Sequence, residues 1–275
     1  MELVLPDLTM VFDDVGSGQP ILFIHGFPLN REMWRPQLES LSAHARVILP
    51  DLRGHGDSPA PPGPYTMDML ADDCHALLQT LGIKERVVVC GLSMGGYVTL
   101  AYYRRYPQSV AGLVLTATRA AADSAEGKVS RDRAAEQVRE DGPQAIIAAM
   151  LPRMLSPHTY SQNPGLVTEV ERIMAKTSQE GMIAALMGMK ERPDATDLLS
   201  QINVPTLIIH GADDQIISIG EAEVMHRAIK NAQLVVLPHA GHLPNLEQRQ
   251  LFNKALLEFI AKLADRSPAG DGQLR

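Results

Sequence analysis

The residue most suited to chemistry in this chain is a serine held between glycines at the end of a Val-rich run. Gly91-Leu92-Ser93-Met94-Gly95 follows Arg86-Val87-Val88-Val89-Cys90 and opens a helical pattern. A G-x-S-x-G segment in a strand-turn-helix setting lifts a hydroxyl above a sheet, where it can attack a carbonyl. The turn is sharp, and the flanking glycines remove the β-carbons that would collide in it. The helix that begins near Met94 aims free N–H groups and its positive end at whatever Ser93 attacks. Nucleotide loops fit poorly, because Ser93 stands where G-x-G-x-x-G needs its middle glycine and no lysine follows as in a phosphate-binding loop.

A serine hydroxyl is a poor nucleophile at neutral pH, so it needs a base that is itself oriented by an acid, here in the chain order Ser, acid, His. Nine histidines are present. Only His239 and His242 follow the last apolar run, and His242, in Ala240-Gly241-His242-Leu243-Pro244, lies on the loop itself, whereas His239 comes directly after the run and Pro238. His242 is therefore the expected base, and activity should fall on acidification as it takes up a proton. His25, His55 and His210 read as strand-end or turn residues with structural hydrogen bonds. The loop after Val204–Gly211 offers Asp213 and Asp214. Spacing does not choose between them, and either suits a turn or the cap of a helix starting near Ile219. The oxyanion of an acyl-transfer intermediate needs two N–H donors. The Met94 N–H is one, and His25-Gly26-Phe27-Pro28 supplies the other; Pro28 has no N–H, which points to Phe27. No metal-ligand spacing is present, and the set requires neither metal nor cofactor.

These residues need a scaffold that brings distant loops together. Apolar runs at 21–26, 46–52, 86–93, 110–116, 204–211 and 232–239 recur with helical patterns between them. Continuous rather than alternating runs indicate strands covered on both faces, and strand-helix alternation implies a doubly wound, mostly parallel α/β sheet with its crevice at the strand carboxyl ends. Leu70, Cys74, Leu77, Leu78 and Leu81 form one helical stripe between Thr66 as N-cap and Gly82 as stop. Phe252, Leu256, Phe259, Ile260 and Leu263 form another. Residues 121–202 read as successive helices with no convincing strand, and are expected to form a helical cap over a core of 1–120 and 203–265. Met150, Met154, Met174, Met182, Met187 and Met189 fall there; ordinary core packing is the simpler reading, an adaptable apolar pocket the other. Arg119, Arg153, Lys190 and Arg192 are read as exposed, solvated charges rather than contacts for an anionic substrate. Residues 266–275 form a polar tail expected to be loosely held.

The 275 residues, 45% hydrophobic and with a net charge of −7, suit an ordinary globular protein and disfavour a nucleic-acid partner. The first ten residues lack the basic and uninterrupted apolar regions of a signal peptide, so a cytoplasmic location with no membrane partner is expected. Cys74 and Cys90 read as reduced core thiols. Oligomeric state has no signature.

The segments HGFP at 25–28, DLRGHGDS at 51–58, GLSMGG at 91–96, HGADD at 210–214 and AGHLPNLEQ at 240–248 resemble the α/β-hydrolase family across essentially the whole core. In that family the acid sits three residues after the loop glycine, which implies Asp214, counted from Gly211; Asp51 and Arg53 match a structural turn. Within the family, the stretches 52–73 and 90–98 look like the 3-oxoadipate enol-lactonase and small carboxylesterase branch. Ser93 separates the chain from haloalkane dehalogenases and epoxide hydrolases, which place an aspartate there. The resemblance implies a carboxylic-ester hydrolase acting on a small ester or lactone through Ser93, His242 and Asp214. Alternatives on the same scaffold are a diketone C–C hydrolase, a receptor with little turnover, and perhydrolase or haloperoxidase side activity.

Overall fold

The computed structural model describes residues 1–266. Eight strands form one sheet: β1 (Glu2–Val4), β2 (Thr9–Val15), β3 (Pro20–Ile24), β4 (Arg46–Pro50), β5 (Val87–Leu92), β6 (Val110–Thr116), β7 (Thr206–Gly211) and β8 (Ala232–Leu237). Their order is β1-β2-β4-β3-β5-β6-β7-β8, antiparallel at the first two pairings and parallel across the rest. The six apolar runs became β3 to β8. The strands β1 and β2 have no counterpart in the sequence reading. β2 carries Asp13 and Asp14 at its end, whose charges break the apolar run; Arg46 holds Asp14 at 2.7 Å.

β3, β5 and β7 are buried along their whole length, as continuous apolar runs require. β8 departs from that expectation: it is the sheet edge, and Val236 is 43% exposed. Helices cover both faces: α1 (Arg35–Leu41), α2 (Met67–Thr80) and α3 (Met94–Arg105) in the first half, with the helices near the carboxyl terminus completing the layers. The α2 start follows from its cap, since Thr66 Oγ1 accepts the Met69 N–H at 3.1 Å. Phe23, Trp34 and Phe252 pack as tilted rings with centroid separations of 5.0 and 6.1 Å and join the sheet to its outer helices. Each such buried ring contributes about 1.5–3 kcal/mol.

Between β6 and β7 the chain forms α4 (Ala125–Asp141), α5 (Pro143–Met154), α6 (Pro157–Gln162), α7 (Pro164–Met174), α8 (Gln179–Lys190) and α9 (Thr196–Leu199) without a strand. The insertion touches the loops of the core closely. A β-carbon on Gly188 of α8 would stand 1.6 Å from the Tyr65 carbonyl, so only glycine permits this contact. The chain returns through β7, α10 (Ile219–Ala228), β8, α11 (Pro244–Glu247) and α12 (Arg249–Arg266). α12 runs to Arg266, the first residue of the expected tail; residues 267–275 lie outside the described residues. Cys74 and Cys90 are free and buried. Among the described residues no helix is long and apolar enough to cross a membrane.

Candidate active site

Ser93 joins β5 to α3 with φ 55° and ψ −113°, a conformation rare for a residue with a β-carbon. Such a backbone costs on the order of 1–3 kcal/mol and survives only when its surroundings fix it. Here the Ser93 N–H donates to the Thr116 carbonyl at 2.9 Å. The Ser93 carbonyl accepts the Gly96 N–H at 2.9 Å and the Thr118 hydroxyl at 2.8 Å. Close packing completes the elbow: a β-carbon on Gly95 would stand 2.1 Å from the Ile24 carbonyl oxygen and 2.7 Å from that of His25. The start of α3 is thus pressed against the end of β3. The β3 loop follows alongside, and a β-carbon on Gly26 would lie 3.4 Å from Ser93 Cβ. Met94 is the first residue of α3, so its N–H has no acceptor within the helix. Phe27 is the third residue of the neighbouring loop. Of the two segments expected to supply oxyanion donors, one begins at the serine and the other approaches it at Gly26.

Of the two aspartates after β7, Asp214 meets the histidine. His242 Nδ1 lies 2.8 Å from Asp214 Oδ2, and both side chains are 1% exposed. The other oxygen, Oδ1, accepts the N–H groups of Ile216 and Ile217 at 2.8 and 3.0 Å. Burial pushes the Asp214 pKa up, but His242 and these two amides outweigh it and hold the carboxyl below its ordinary value. An ionised carboxylate only accepts, so His242 Nδ1 carries the hydrogen and a neutral ring leaves its lone pair on Nε2. Asp213 is exposed and serves the loop through its backbone N–H, which donates to Ala240 at 2.8 Å. Asp214 does not cap α10, where Ser218 takes the N-cap position.

The other histidines have separate tasks. His25 Nε2 accepts the Leu52 N–H at 3.0 Å, and His55 Nδ1 donates to the Arg53 carbonyl at 3.0 Å. Burial lowers the pKa of His55 to about 4, keeping it neutral. His210 Nε2 donates to the Ile217 carbonyl at 3.0 Å, bracing the Asp214 loop from below. His239 is exposed at φ 57° and stacks on His158 at 4.7 Å. Asp51 and Arg53 hold scaffold: Asp51 binds Arg31 and the Asp57 N–H, and Arg53 binds Asp73 at 2.7 Å.

Glu247 was not singled out in the sequence. Its Oε1 accepts the Gly241 N–H at 2.7 Å, next to the histidine. Its Oε2 accepts the Ser156 N–H and the Thr159 hydroxyl, both at 2.7 Å, from the insertion. Burial raises its pKa, against the pull of these donors. The His242 N–H donates to the Met154 carbonyl at 2.9 Å, and the Ser156 hydroxyl to that of His239 at 3.0 Å. A β-carbon on Gly241 would stand 2.8 Å from Ser156 N, so the two segments are in direct contact. The available signal was a lone acid closing the otherwise uncharged loop Ala240–Leu246.

A cavity of about 590 Å³ opens between these loops and the insertion, with Phe27, Arg119, Met150, Leu186 and Ile216 in its lining. Met154, Met174, Met182 and Met189 are instead buried in the core. The expectation that the four cations are solvated fails for Arg192 and holds only in part for Arg119 and Lys190, which are partly buried. Arg192 is 5% exposed, pairs with Asp123 at 2.9 Å and stacks on Tyr97 at 4.0 Å. Arg119 is half-buried and also pairs with Asp123. Arg153 is exposed and donates to the Gln215 carbonyl at 2.8 Å, while Lys190 pairs with Asp132 at 2.8 Å. Among the described residues no group of three or more side chains is placed to hold a metal.

Comparison with known proteins gives a consistent picture. The family model of the alpha/beta hydrolase fold matches residues 19–248. The AB hydrolase superfamily protein YisY of Bacillus subtilis is 31% identical over 92% of this chain and 95% of its own length. The 3-oxoadipate enol-lactonase 2 of Acinetobacter baylyi is 31% identical over 92% of this chain and 94% of its own. Among solved structures, a thermophilic esterase from Thermogutta terrifontis superposes with a TM-score of 0.91 at 44% identity, covering 93% of this chain and 94% of that one.

Proposed function

The chain belongs to the α/β-hydrolase fold family, and from that premise we propose that it is a serine hydrolase of small carboxylic esters or lactones, with Ser93, His242 and Asp214 as its triad. The observation that carries this reading is the 2.8 Å bond between His242 and Asp214, made by the loops after two adjacent strands. It fixes the tautomer a general base needs. Relatives of this kind include enol-lactonases and esterases.

In the proposed reaction Ser93 Oγ attacks the ester carbonyl while His242 Nε2 takes its proton. The tetrahedral oxyanion is held by the Phe27 and Met94 N–H groups, each contributing about 3–4 kcal/mol in comparable sites. Collapse expels the alkoxide, which leaves with the proton from His242. Water then attacks the acyl-serine, again giving its proton to His242, and the acid departs as Ser93 regains its hydrogen. Asp214 stabilises the imidazolium at each stage.

Hydrolysis of a short p-nitrophenyl ester series by wild type and Ser93→Ala tests the reading. Loss of such a nucleophile costs on the order of 10^6 in kcat. An inert wild type, or a variant that keeps its rate, refutes it.

A further inference from the structure

Resting on that ester-hydrolase reading, we infer that the substrate carries a second, anionic group, a carboxylate, and that Arg119 and Arg131 in the cavity beside the site recognise it.

Three residues of the cavity wall neighbour the proposed machinery, while Ser93, Asp214 and His242 themselves lie outside that wall. Phe27 comes from the loop after β3, and Ile216 is the residue whose N–H binds Asp214. Arg119 directly follows Thr118, whose hydroxyl binds the Ser93 carbonyl at 2.8 Å. A ligand that runs from Ser93 past Phe27 into the cavity would meet these arginines.

The charges in the cavity wall do not cancel. Arg119, Arg131, Arg133 and Arg153 line it, against the single acid Asp123. Asp123 is already shared among three guanidinium groups: Arg119, Arg131 at 3.1 Å and Arg192 at 2.9 Å. One carboxylate neutralises one of them. Arg192 is the structural member, since its side chain is 3% exposed, lies over the Tyr97 ring and donates to the carbonyls of Met189 and Ala121. Arg119 and Arg131 keep 27% and 23% of their side chains accessible. The buried Nε of Arg119 has no hydrogen-bond partner among the described residues. Glu221 acts on Arg119 only through space. A guanidinium has five donors in a planar fork, and Asp123 cannot use those of both residues.

This concentration of positive charge occurs in a chain of net charge −7. A cationic recess in an anionic molecule focuses the field on its own mouth and draws anions there against the general repulsion. The apolar neighbours Met150, Ile146 and Leu186 suit a short hydrocarbon spacer between carbonyl and carboxylate.

The test compares methyl hydrogen glutarate with methyl pentanoate, esters of matched length that differ by the charge. Wild type should favour the anionic ester in kcat/KM by about tenfold or more, the value of a charge-assisted hydrogen bond, and the preference should shrink as salt is raised. Arg119→Gln and Arg131→Gln should each collapse the ratio toward one. If Arg119→Gln fails to fold once Asp123 loses a partner, Arg131→Gln and competitive inhibition of pentanoate hydrolysis by glutarate decide. Hydrolysis of the neutral ester with a ratio near one, unchanged in a folded Arg131→Gln, overturns this inference and leaves the esterase reading standing. Failure to hydrolyse either ester refutes both.

Discussion

Glu247→Gln would cut the link between the histidine loop and the helical insertion while changing almost no volume. The carboxylate satisfies three donors, one from Gly241 and two from the insertion, all at 2.7 Å. A carboxamide has one oxygen and one NH2, so it can serve only one side. On the other side an N–H group would face an N–H group. At least one charge-assisted bond is lost, at about 1.5–3 kcal/mol, and a partly buried donor is left unpaired. For a chain of this size the melting temperature should fall by roughly 4–10 °C. Gly241 immediately precedes His242, so freeing its N–H also loosens the base, and misplacement of a catalytic group by an ångström costs about 10²-fold. We expect kcat for a p-nitrophenyl ester to drop at least tenfold at a temperature where the variant is fully folded, with KM changing less. Thermal melts by circular dichroism and steady-state kinetics on the same preparation measure both effects. A variant that melts within about a degree of wild type and retains its kcat would show that the carboxylate does not clamp the loop.

Two further outcomes follow from the geometry. Asp214→Asn should lower kcat by roughly 10^4-fold, because an amide N–H facing His242 Nδ1 moves the ring hydrogen to Nε2. The same variant carries a pH signature: the folded Asp214 pKa lies below its ordinary 3.8, so its stabilisation is present above that value and is lost as pH falls through the folded value. In denaturant melts the stability gap between wild type and variant should close below about 4 as the wild-type carboxylate is protonated; a gap that persists at lower pH contradicts the assignment. Gly95→Ala places a β-carbon 2.1 Å from the Ile24 carbonyl and 2.7 Å from that of His25. Overpacking of this kind costs about 1–3 kcal/mol, and here it also pushes the Phe27 loop away from Met94, so ester turnover should fall more than KM rises; unaltered kinetics in Gly95→Ala would count against a Phe27 donor.

What the sequence made legible, and what it did not, divides by the range of the forces involved. The elbow at Ser93 is local: glycines, a β-rich run and a helix start are enough to specify it, and the backbone at φ 55° realises that pattern. The sheet was legible for the same reason wherever burial imposes continuous apolar runs, the half-exposed edge strand β8 included, and it went unread at β1 and β2, whose alternating burial leaves no such run. The choice of Asp214 over Asp213 depended on which carboxylate turns inward, a difference of one residue that local composition does not encode and that the partner His242, 28 positions later, decides. Asp123, Arg192 and Glu247 show the limiting case. Each looks like an ordinary surface charge in one dimension, because the feature that buries it lies far along the chain: Tyr97 beneath Arg192, and Ser156 and Thr159, 91 and 88 positions before Glu247. A buried charge is tolerated only with its partners in place, so these residues became readable only once the fold had brought the partners to them.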